Sequence, residues 1–448
     1  MLKSVLIANR GEIARRIIRT ARLLRIETIA VYSDIDESSL FVQEADKALR
    51  IGEARPTDSY LNIDKIMAAA RESGAVAIHP GYGFLSERWE FAQRCEREGL
   101  TFVGPSSAVI HEMGDKYRSR EIASSLGIPV APGSGILNNV EEAKKWATEL
   151  SLPVIFKASA GGGGVGMVKV EEEKEIAEAF DTATNRARLA FGDERIYVEK
   201  YMESPHHIEI QILGDKHGNV VTFPERECSV QRRHQKVIEE SPSPFATAEF
   251  RDQLRQAARR LAQGIGYTNA GTVEFVVDGH RRFYFLEMNA RLQVEHPITE
   301  MITGIDLVEQ QMRIASGESL LLGEESLGWK GWAIESRVYA EDSKNFYPSP
   351  GEIVSYVEPR GESIRVESGY QAGDTVSQFY DPLIAKLVVW GGDRGKATVK
   401  MRDALDDYEI TGMKNNLPFL KEAFDSEIFK SGNYDTHFIS KLKEEING

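Results

Sequence analysis

The alternation of two hydrophobic periods along the first hundred residues is the strongest constraint on the fold. An apolar run at residues 5–8 precedes apolar residues at helical spacing over 12–24, and the exchange repeats to about residue 103. Strands alternating with helices form a parallel sheet that is covered on both faces. The later segments are strands at 28–32, 75–78 and 101–103 and helices at 63–70 and 89–98. The pattern predicts a doubly wound α/β domain.

Two joints rich in glycine or proline, at 127–133 and 328–331, punctuate the rest of the chain. Between them the strands vary more in polarity, and beyond the second joint the chain is strand-rich with a helix at its end. We therefore expect three domains, at 1–113, 114–327 and 328–448. The first is α/β and the later parts are α+β.

Charge and composition exclude several classes of protein. The 448 residues carry 55 basic and 69 acidic side chains, for a net charge of −14, which repels nucleic acids and anionic membranes. No apolar run approaches the 18 residues of a membrane span. Two cysteines, Cys95 and Cys228, cannot build a disulfide framework, so a reducing cytoplasm is the expected compartment.

A glycine run at 161–166 lies between two strand-like segments, 154–157 and 167–170. Five glycines in six positions allow backbone N–H groups to approach an anion closely. The run lacks the Gly-Lys-Ser/Thr sequence and following helix of a Walker A loop. It predicts a glycine flap over a phosphate, and a merely flexible loop is the alternative.

Polar residues alternate with apolar ones over 287–295. If this segment is one strand, Glu287, Asn289, Arg291, Gln293 and Glu295 share a face. A turn at 278–279 would bring Glu274, in the preceding strand, near Glu287. Carboxylate and amide oxygens suit Mg²⁺. The segment predicts a metal and phosphate site, and the alternative is an exposed polar strand face.

Two further segments remain ambiguous on their own. Residues 225–236 concentrate cations, as either a solvated charge run or a local positive field for a small anion. His79 begins the segment 79–87 at the carboxyl end of a predicted strand, where open α/β sheets bind ligands, although a lone histidine is more often a core residue. The turn at 9–12 has one glycine, so a dinucleotide fingerprint is not expected.

Taken together, these segments resemble the biotin carboxylases, a family of ATP-grasp enzymes, and the resemblance runs essentially from end to end. The matching segments are 7–14, 79–87, 113–116, 231–236, 287–300, 337–342 and 380–386. The resemblance implies a central ATP-grasp domain with a mobile lid at about 131–203. It also implies carboxylation of biotin by bicarbonate, driven by ATP through carboxyphosphate.

The resemblance assigns a role to individual residues. Lys116 and Lys157 would hold nucleotide phosphates beneath Gly163 and Gly164. The nucleotide would also contact Glu199, Lys200, Tyr201, Met202, His207 and His234, with Glu274, Glu287 and Asn289 holding Mg²⁺ or Mn²⁺. Bicarbonate would lie among Lys236, Arg291, Gln293 and Val294.

Glu295 is the expected general base and Arg337 the expected cation for the enolate oxygen of biotin. The alternative for Arg337 is an ordinary ion pair with Glu335 or Glu341. Val165 departs from the family, which commonly has Arg or Lys there.

The implied partners are a biotin carrier protein and a carboxyltransferase on other chains, because no lysine here is flanked by methionines as a biotinylated lysine would be. The resemblance suggests a homodimer and a subunit of an acetyl-CoA carboxylase of fatty acid biosynthesis, or of a related acyl-CoA or pyruvate carboxylase. The alternatives are a 2-oxo-acid carboxylase subunit, another ATP-grasp ligase that activates a carboxylate, and a regulatory nucleotide-binding protein without turnover.

Overall fold

The computed structural model describes residues 1–160, 166–323 and 327–447. Its N-terminal part is a parallel sheet of five strands in the order β3-β2-β1-β4-β5, with helices between them. The strands are β1 (Ser4–Ile7), β2 (Glu27–Ser33), β3 (Lys47–Gly52), β4 (Ala77–His79) and β5 (Thr101–Phe102). The helices are α1 (Gly11–Leu23), α2 (Leu40–Glu44), α3 (Ile63–Ser73), α4 (Trp89–Arg97) and α5 (Ser107–Gly114).

The doubly wound sheet predicted for this part is confirmed, although α2 and β3 had no clear periodic signal. Strand β1 is buried along its whole length, as its unbroken apolar run requires. Helix α3 shows why the local pattern succeeds: Asn62 caps its first turn by accepting a bond from the Lys65 N–H, and Gly74 ends it in the left-handed region.

The central part contains a small sheet and the first five strands of a large one. Its elements are α6 (Lys116–Ser125), α7 (Val140–Leu150), β6 (Val154–Ala158), β7 (Val168–Val170), α8 (Ile176–Phe191), β8 (Ile196–Lys200), β9 (His206–Gly214), β10 (Val220–Arg232), β11 (Gln235–Ser241), α9 (Ala248–Gly264), β12 (Asn269–Val277), β13 (Phe283–Asn289), α10 (His296–Thr303) and α11 (Leu307–Ala315). The small antiparallel sheet, β7-β6-β8, packs with α7 and α8 around an apolar core of its own.

The C-terminal part completes the large sheet, as expected for a strand-rich domain. Its elements are β14 (Trp332–Tyr339), β15 (Gly351–Glu352), β16 (Ser355–Val357), β17 (Ile364–Ser368), β18 (Thr375–Val376), β19 (Leu383–Gly391), α12 (Arg394–Asp407), β20 (Glu409–Thr411), α13 (Leu417–Asp425), α14 (Glu427–Ser431) and α15 (Phe438–Asn447). The large sheet is antiparallel, in the order β13-β12-β9-β10-β11-β14-β19-β17. One sheet therefore crosses the predicted domain boundary at 327, through the pairing of β11 with β14.

Buried apolar side chains of the N-terminal sheet and of the central part form a common core, in which Leu6 and Ile78 belong to the same cluster as Leu254 and Phe275. In the described ranges 1–160, 166–323 and 327–447, every helix is too short or too polar to cross a membrane.

Candidate active site

Three adjoining cavities lie over the large sheet. The apolar cavity, of about 330 Å³, is bounded by Lys157, residues 199–202, His207 and His234, and by apolar side chains such as Ile155 and Leu286. The charged cavity, of about 270 Å³, shares His207, His234 and Leu286 with it. The tyrosine cavity, of about 340 Å³, contains Tyr82, Tyr339 and Tyr380 and shares Gln235, Arg291, Val294 and Arg337 with the charged cavity.

Every candidate residue in the described ranges lines one of the first two cavities. The charged cavity is lined by Lys116, His207, His234, Lys236, Glu274, Glu287, Asn289, Arg291, Gln293, Val294, Glu295 and Arg337. Lys157, Glu199, Lys200, Tyr201 and Met202 line the apolar cavity. Gly163, Gly164 and Val165 lie outside the described residues.

Strands β12 and β13 place two carboxylates side by side. Glu274 and Glu287 are direct partners in the antiparallel register, and Asn289 is opposite Thr272 one step along the same face. Asn289 Nδ2 donates to Glu274 Oε1 at 2.8 Å, and Gln293 Nε2 donates to the same oxygen at 2.6 Å. These oxygens form a hard donor set of the kind that Mg²⁺ prefers.

The expectation of one continuous strand over residues 287–295 is wrong. Strand β13 ends at Asn289, because the next N–H, of Ala290, donates to Glu87 Oε1 instead of to β12. The Arg291 side chain binds the other oxygen of Glu87 at 2.8 Å. Glu295 then becomes the residue before α10. The polar side chains still converge, through a turn held by Glu87 and not through strand alternation.

Lys236, the first charged residue of β11, joins three carboxylates. Its Nζ lies 2.5 Å from Glu209 Oε2, 2.9 Å from Glu274 Oε1 and 2.6 Å from Glu295 Oε1. Burial disfavours the ammonium form, but these three carboxylates outweigh it and raise the pKa of Lys236 well above its usual value. The site thus holds a fixed positive charge at its centre.

The two carboxylates beside Lys236 are held ionised. Burial opposes ionisation of Glu274, but Lys236 and His207 outweigh it, so the pKa of Glu274 lies well below its usual range. His207 Nε2 lies 2.7 Å from Glu274 Oε2, and this contact raises the pKa of His207 against the effect of burial. Burial likewise opposes ionisation of Glu295, and Lys236 and Arg337 lower its pKa nevertheless.

Arg337 does not pair with Glu335 or Glu341, the partners considered from sequence. Its Nε donates to Glu239 Oε1 at 2.6 Å, and its terminal nitrogen lies 3.0 Å from Glu295 Oε2. The reason is the sheet order: β11 and β14 are neighbours, which brings Glu239 to the same face as Arg337. Arg337 and Lys236 therefore bind opposite oxygens of Glu295.

The phosphate-side lysines are also paired with carboxylates. Lys116 Nζ lies 2.6 Å from Glu287 Oε2, and Lys157 Nζ lies 2.5 Å from Glu199 Oε2. Lys200 turns its ammonium away from the apolar cavity, to the carbonyls of Ser151 and Leu152.

Sequence reasoning missed several residues that hold this arrangement. Glu209 could have been found, because it alternates with His207 and Gln211 along β9 as Glu287 does with Asn289. The fully buried Arg226, a member of the cationic segment, binds Glu209 Oε1 and also donates to Gln293 Oε1 at 2.6 Å. No local signal marks Glu239.

Sequence comparison places this geometry in a family. Biotin carboxylase 2 of Bacillus subtilis is 50% identical over 442 residues, covering 98% of this chain and 100% of the relative. The chain belongs to the biotin carboxylase family. Family models match it in three segments: "Biotin carboxylase, N-terminal domain" at 1–110, "Carbamoyl-phosphate synthase L chain, ATP binding domain" at 115–322, and "Biotin carboxylase C-terminal domain" at 335–441.

Biotin carboxylases named in other carboxylases are similarly close. A pyruvate carboxylase subunit of Methanothermobacter thermautotrophicus is 47% identical, over 100% of this chain and 91% of the relative. The biotin carboxylase domain dimer of the Hydrogenobacter thermophilus 2-oxoglutarate carboxylase, solved with MgADP, ADP and bicarbonate, is 47% identical. It superimposes with a TM-score of 0.97, covering 99% of this chain and 98% of that one. The protein is a biotin carboxylase, an ATP-dependent ligase that forms a carbon–nitrogen bond.

Proposed function

We propose that this biotin carboxylase activates bicarbonate with ATP in the charged cavity and transfers the carboxyl group to biotin in the tyrosine cavity. The observation that carries the proposal is the order of the three cavities. The charged cavity shares residues with the apolar cavity on one side and with the tyrosine cavity on the other. A nucleotide, a small anion and a cyclic urea would therefore meet in the sequence that the reaction needs.

The apolar cavity receives adenine, and the lysines at its edge receive the phosphates. The Lys200 and Tyr201 N–H groups are already bonded to the Pro132 and Pro153 carbonyls. The Met202 backbone is therefore the better hydrogen-bonding partner for the base. Lys157 and Lys116 would exchange their carboxylate partners for phosphate oxygens, which are stronger acceptors for a lysine point charge.

Glu274, Glu287 and Asn289 would hold Mg²⁺ or Mn²⁺. Their carboxylate and amide oxygens fit such an ion, which neutralises phosphate charge when it is bound. Metal binding at Glu287 would also release Lys116 from its present ion pair. The carboxylates and the lysines of this cavity are thus paired with each other and would separate onto metal and phosphate, respectively.

Bicarbonate would lie among Lys236, Arg291, Gln293 and the Val294 backbone, with Glu295 as the general base. The Glu295 carboxylate takes the bicarbonate proton as a bicarbonate oxygen bonds to the γ-phosphorus and ADP leaves. The low pKa of Glu295 keeps the carboxylate free of a proton at neutral pH. Because bicarbonate would compete for Lys236, its arrival weakens one cause of that low pKa and makes Glu295 a stronger base.

Arg337 is suited to the oxygen of biotin, because it lines both the charged and the tyrosine cavities. The phosphate released from carboxyphosphate takes the proton of the biotin nitrogen, and negative charge develops on the ureido oxygen. A buried guanidinium stabilises such an oxyanion without reorganising.

The biotin would be carried by a protein on a separate chain, working with a carboxyltransferase. The chain covers the whole of the Bacillus relative and most of the pyruvate carboxylase relative, which supports this arrangement. We also propose a homodimer, as in the 2-oxoglutarate carboxylase domain. Relatives with pyruvate and 2-oxoglutarate in their names leave acetyl-CoA as one acceptor among several.

Phosphate release from ATP and Mg²⁺ tests the proposal. The rate is expected to rise when bicarbonate and free biotin are both added, with ¹⁴C from bicarbonate recovered in carboxybiotin. A rate that does not respond to bicarbonate and biotin, but responds to another carboxylate, would favour a different ATP-grasp ligase.

A further inference from the structure

Lys386 is a fully buried lysine on β19 with no role in the assignments above. Its Nζ donates to the Val294 carbonyl at 2.8 Å and lies 3.2 Å from Glu12 Oε2. The ring centroid of Tyr82 lies 5.8 Å from the same nitrogen. An ammonium group is rarely buried without partners, and all three partners line the tyrosine cavity.

The bond to Val294 acts on the backbone of Glu295. The Val294 carbonyl belongs to the planar peptide that joins it to Glu295, so fixing the oxygen also fixes the direction of the Glu295 N–H. On the other side, the Glu295 carbonyl accepts the Ile298 N–H in the first turn of α10. The backbone of Glu295 is thus held from both sides.

The sheet register joins this anchor to the catalytic arginine. Lys386 is the direct partner of Arg337 in the pairing of β14 with β19. The same pair of strands therefore holds the Glu295 backbone through Lys386 and the Glu295 carboxylate through Arg337. Glu12 supplies the neutralising charge from α1, in the N-terminal part.

We propose that Lys386 is a positioning residue for the carboxylation reaction. Its ammonium, neutralised by Glu12, anchors the Val294–Glu295 peptide so that the Glu295 carboxylate and the Val294 backbone face bicarbonate. The inference rests on the proposed function of Glu295 as base. It predicts that loss of Lys386 impairs the bicarbonate step and leaves the nucleotide step intact.

Two variants of the full chain test this: Lys386→Met, and Lys386→Met combined with Glu12→Gln, which avoids an unpaired buried carboxylate. Lys396→Met is the control, because its side chain is 74% exposed. For the double variant we expect kcat of bicarbonate-dependent ATP cleavage to fall about 10- to 100-fold, because small displacements of reacting groups have effects of this size. MgADP affinity by calorimetry is expected to match the control.

Wild-type-like turnover in the double variant would overturn the proposal. Parallel loss of MgADP binding and turnover, or failure of both variants to fold, would also overturn it, since Lys386 would then be a general structural residue. Wild-type protein without bicarbonate-dependent ATP cleavage would instead refute the proposed function, so that assay comes first.

Discussion

At the scale of residues, the charged cavity consists of matched opposite charges. Lys236 touches three carboxylates, and Glu295 accepts from Lys236 and Arg337 at separate oxygens. Removing one partner from such a buried pair costs about 3–5 kcal/mol, far more than an exposed pair contributes. The pairs also hold their side chains in place for ligands of the same charge.

Glu295→Gln is expected to separate nucleotide binding from turnover. The amide keeps the size of the side chain but cannot accept a proton, so bicarbonate-dependent ATP cleavage is expected to fall at least about 100-fold. MgADP affinity is expected to stay the same, since Glu295 is not in the apolar cavity. A phosphate-release assay with Glu427→Gln as the control, a side chain 84% exposed, measures this. Undiminished turnover would refute the assignment of the base.

Glu239→Gln is expected to change the pH dependence of stability. Burial raises the pKa of Glu239 to about 7, with Arg337 and Lys236 acting against the rise and Glu295 adding to it. Between its ordinary pKa and pH 7 the folded state holds the extra proton, so its contribution to stability is lost as pH rises through 7. We expect the variant to lose less stability than wild type between pH 5 and 8, by at most about 3 kcal/mol. Denaturant titrations at each pH measure this, and identical profiles would contradict it.

At the scale of elements, the site is built where strand ends and turns meet. The end of β17 approaches the start of α1 so closely that a Cβ on Gly369 would lie 2.8 Å from the Glu12 backbone nitrogen. This contact orders the first turn of α1, which lines the tyrosine cavity.

Gly369→Ala is therefore expected to lower the free energy of unfolding by about 1–3 kcal/mol, because the backbone of α1 must shift to accept the methyl group. Gly279→Ala, which would meet no atom within 4 Å, is the matched control. Thermal and urea unfolding of both variants measure the difference. Equal stabilities would show that the two elements separate without cost.

The small sheet β7-β6-β8 is the element in which we expect ligand-dependent motion, as the predicted lid at about 131–203 requires. Its core, which includes Phe156 and Val198, is distinct from the core of the large sheet. Hydrogen exchange is expected to slow in β6 and β8 when MgADP is added, and to change little in β9 and β12. Equal protection in all four strands would argue against a lid.

At the scale of the whole molecule, the large antiparallel sheet makes the central and C-terminal parts interdependent. Val237 and Ile238 of β11 share an apolar core with β14, β19 and the C-terminal helices. The catalytic pair Arg337 and Glu295 crosses the same boundary.

A chain ending at residue 330 is consequently expected to lack a cooperative unfolding transition. It would lose three of the eight strands, expose the edge of β11, and leave Glu239 without Arg337. Calorimetry on the truncated and full-length proteins tests this. A sharp transition in the truncated protein would show that the first 330 residues fold independently.

Sequence alone determined the features that depend on neighbouring residues. The hydrophobic periods located β1 and α1, and the β12–β13 hairpin could be anticipated from alternation around a turn, together with the proximity of Glu274 to Glu287. These patterns are set by local backbone geometry, which a short stretch of sequence carries.

Only the tertiary structure decided which charges meet. It ended β13 at Asn289, brought Lys236 between Glu274 and Glu295, and paired Arg337 with Glu239. Those contacts depend on β11 lying beside β14, and strand order is set by the burial of whole faces and not by nearby residues. The same global packing buried Lys386 beneath Val294, where no local motif could have placed it.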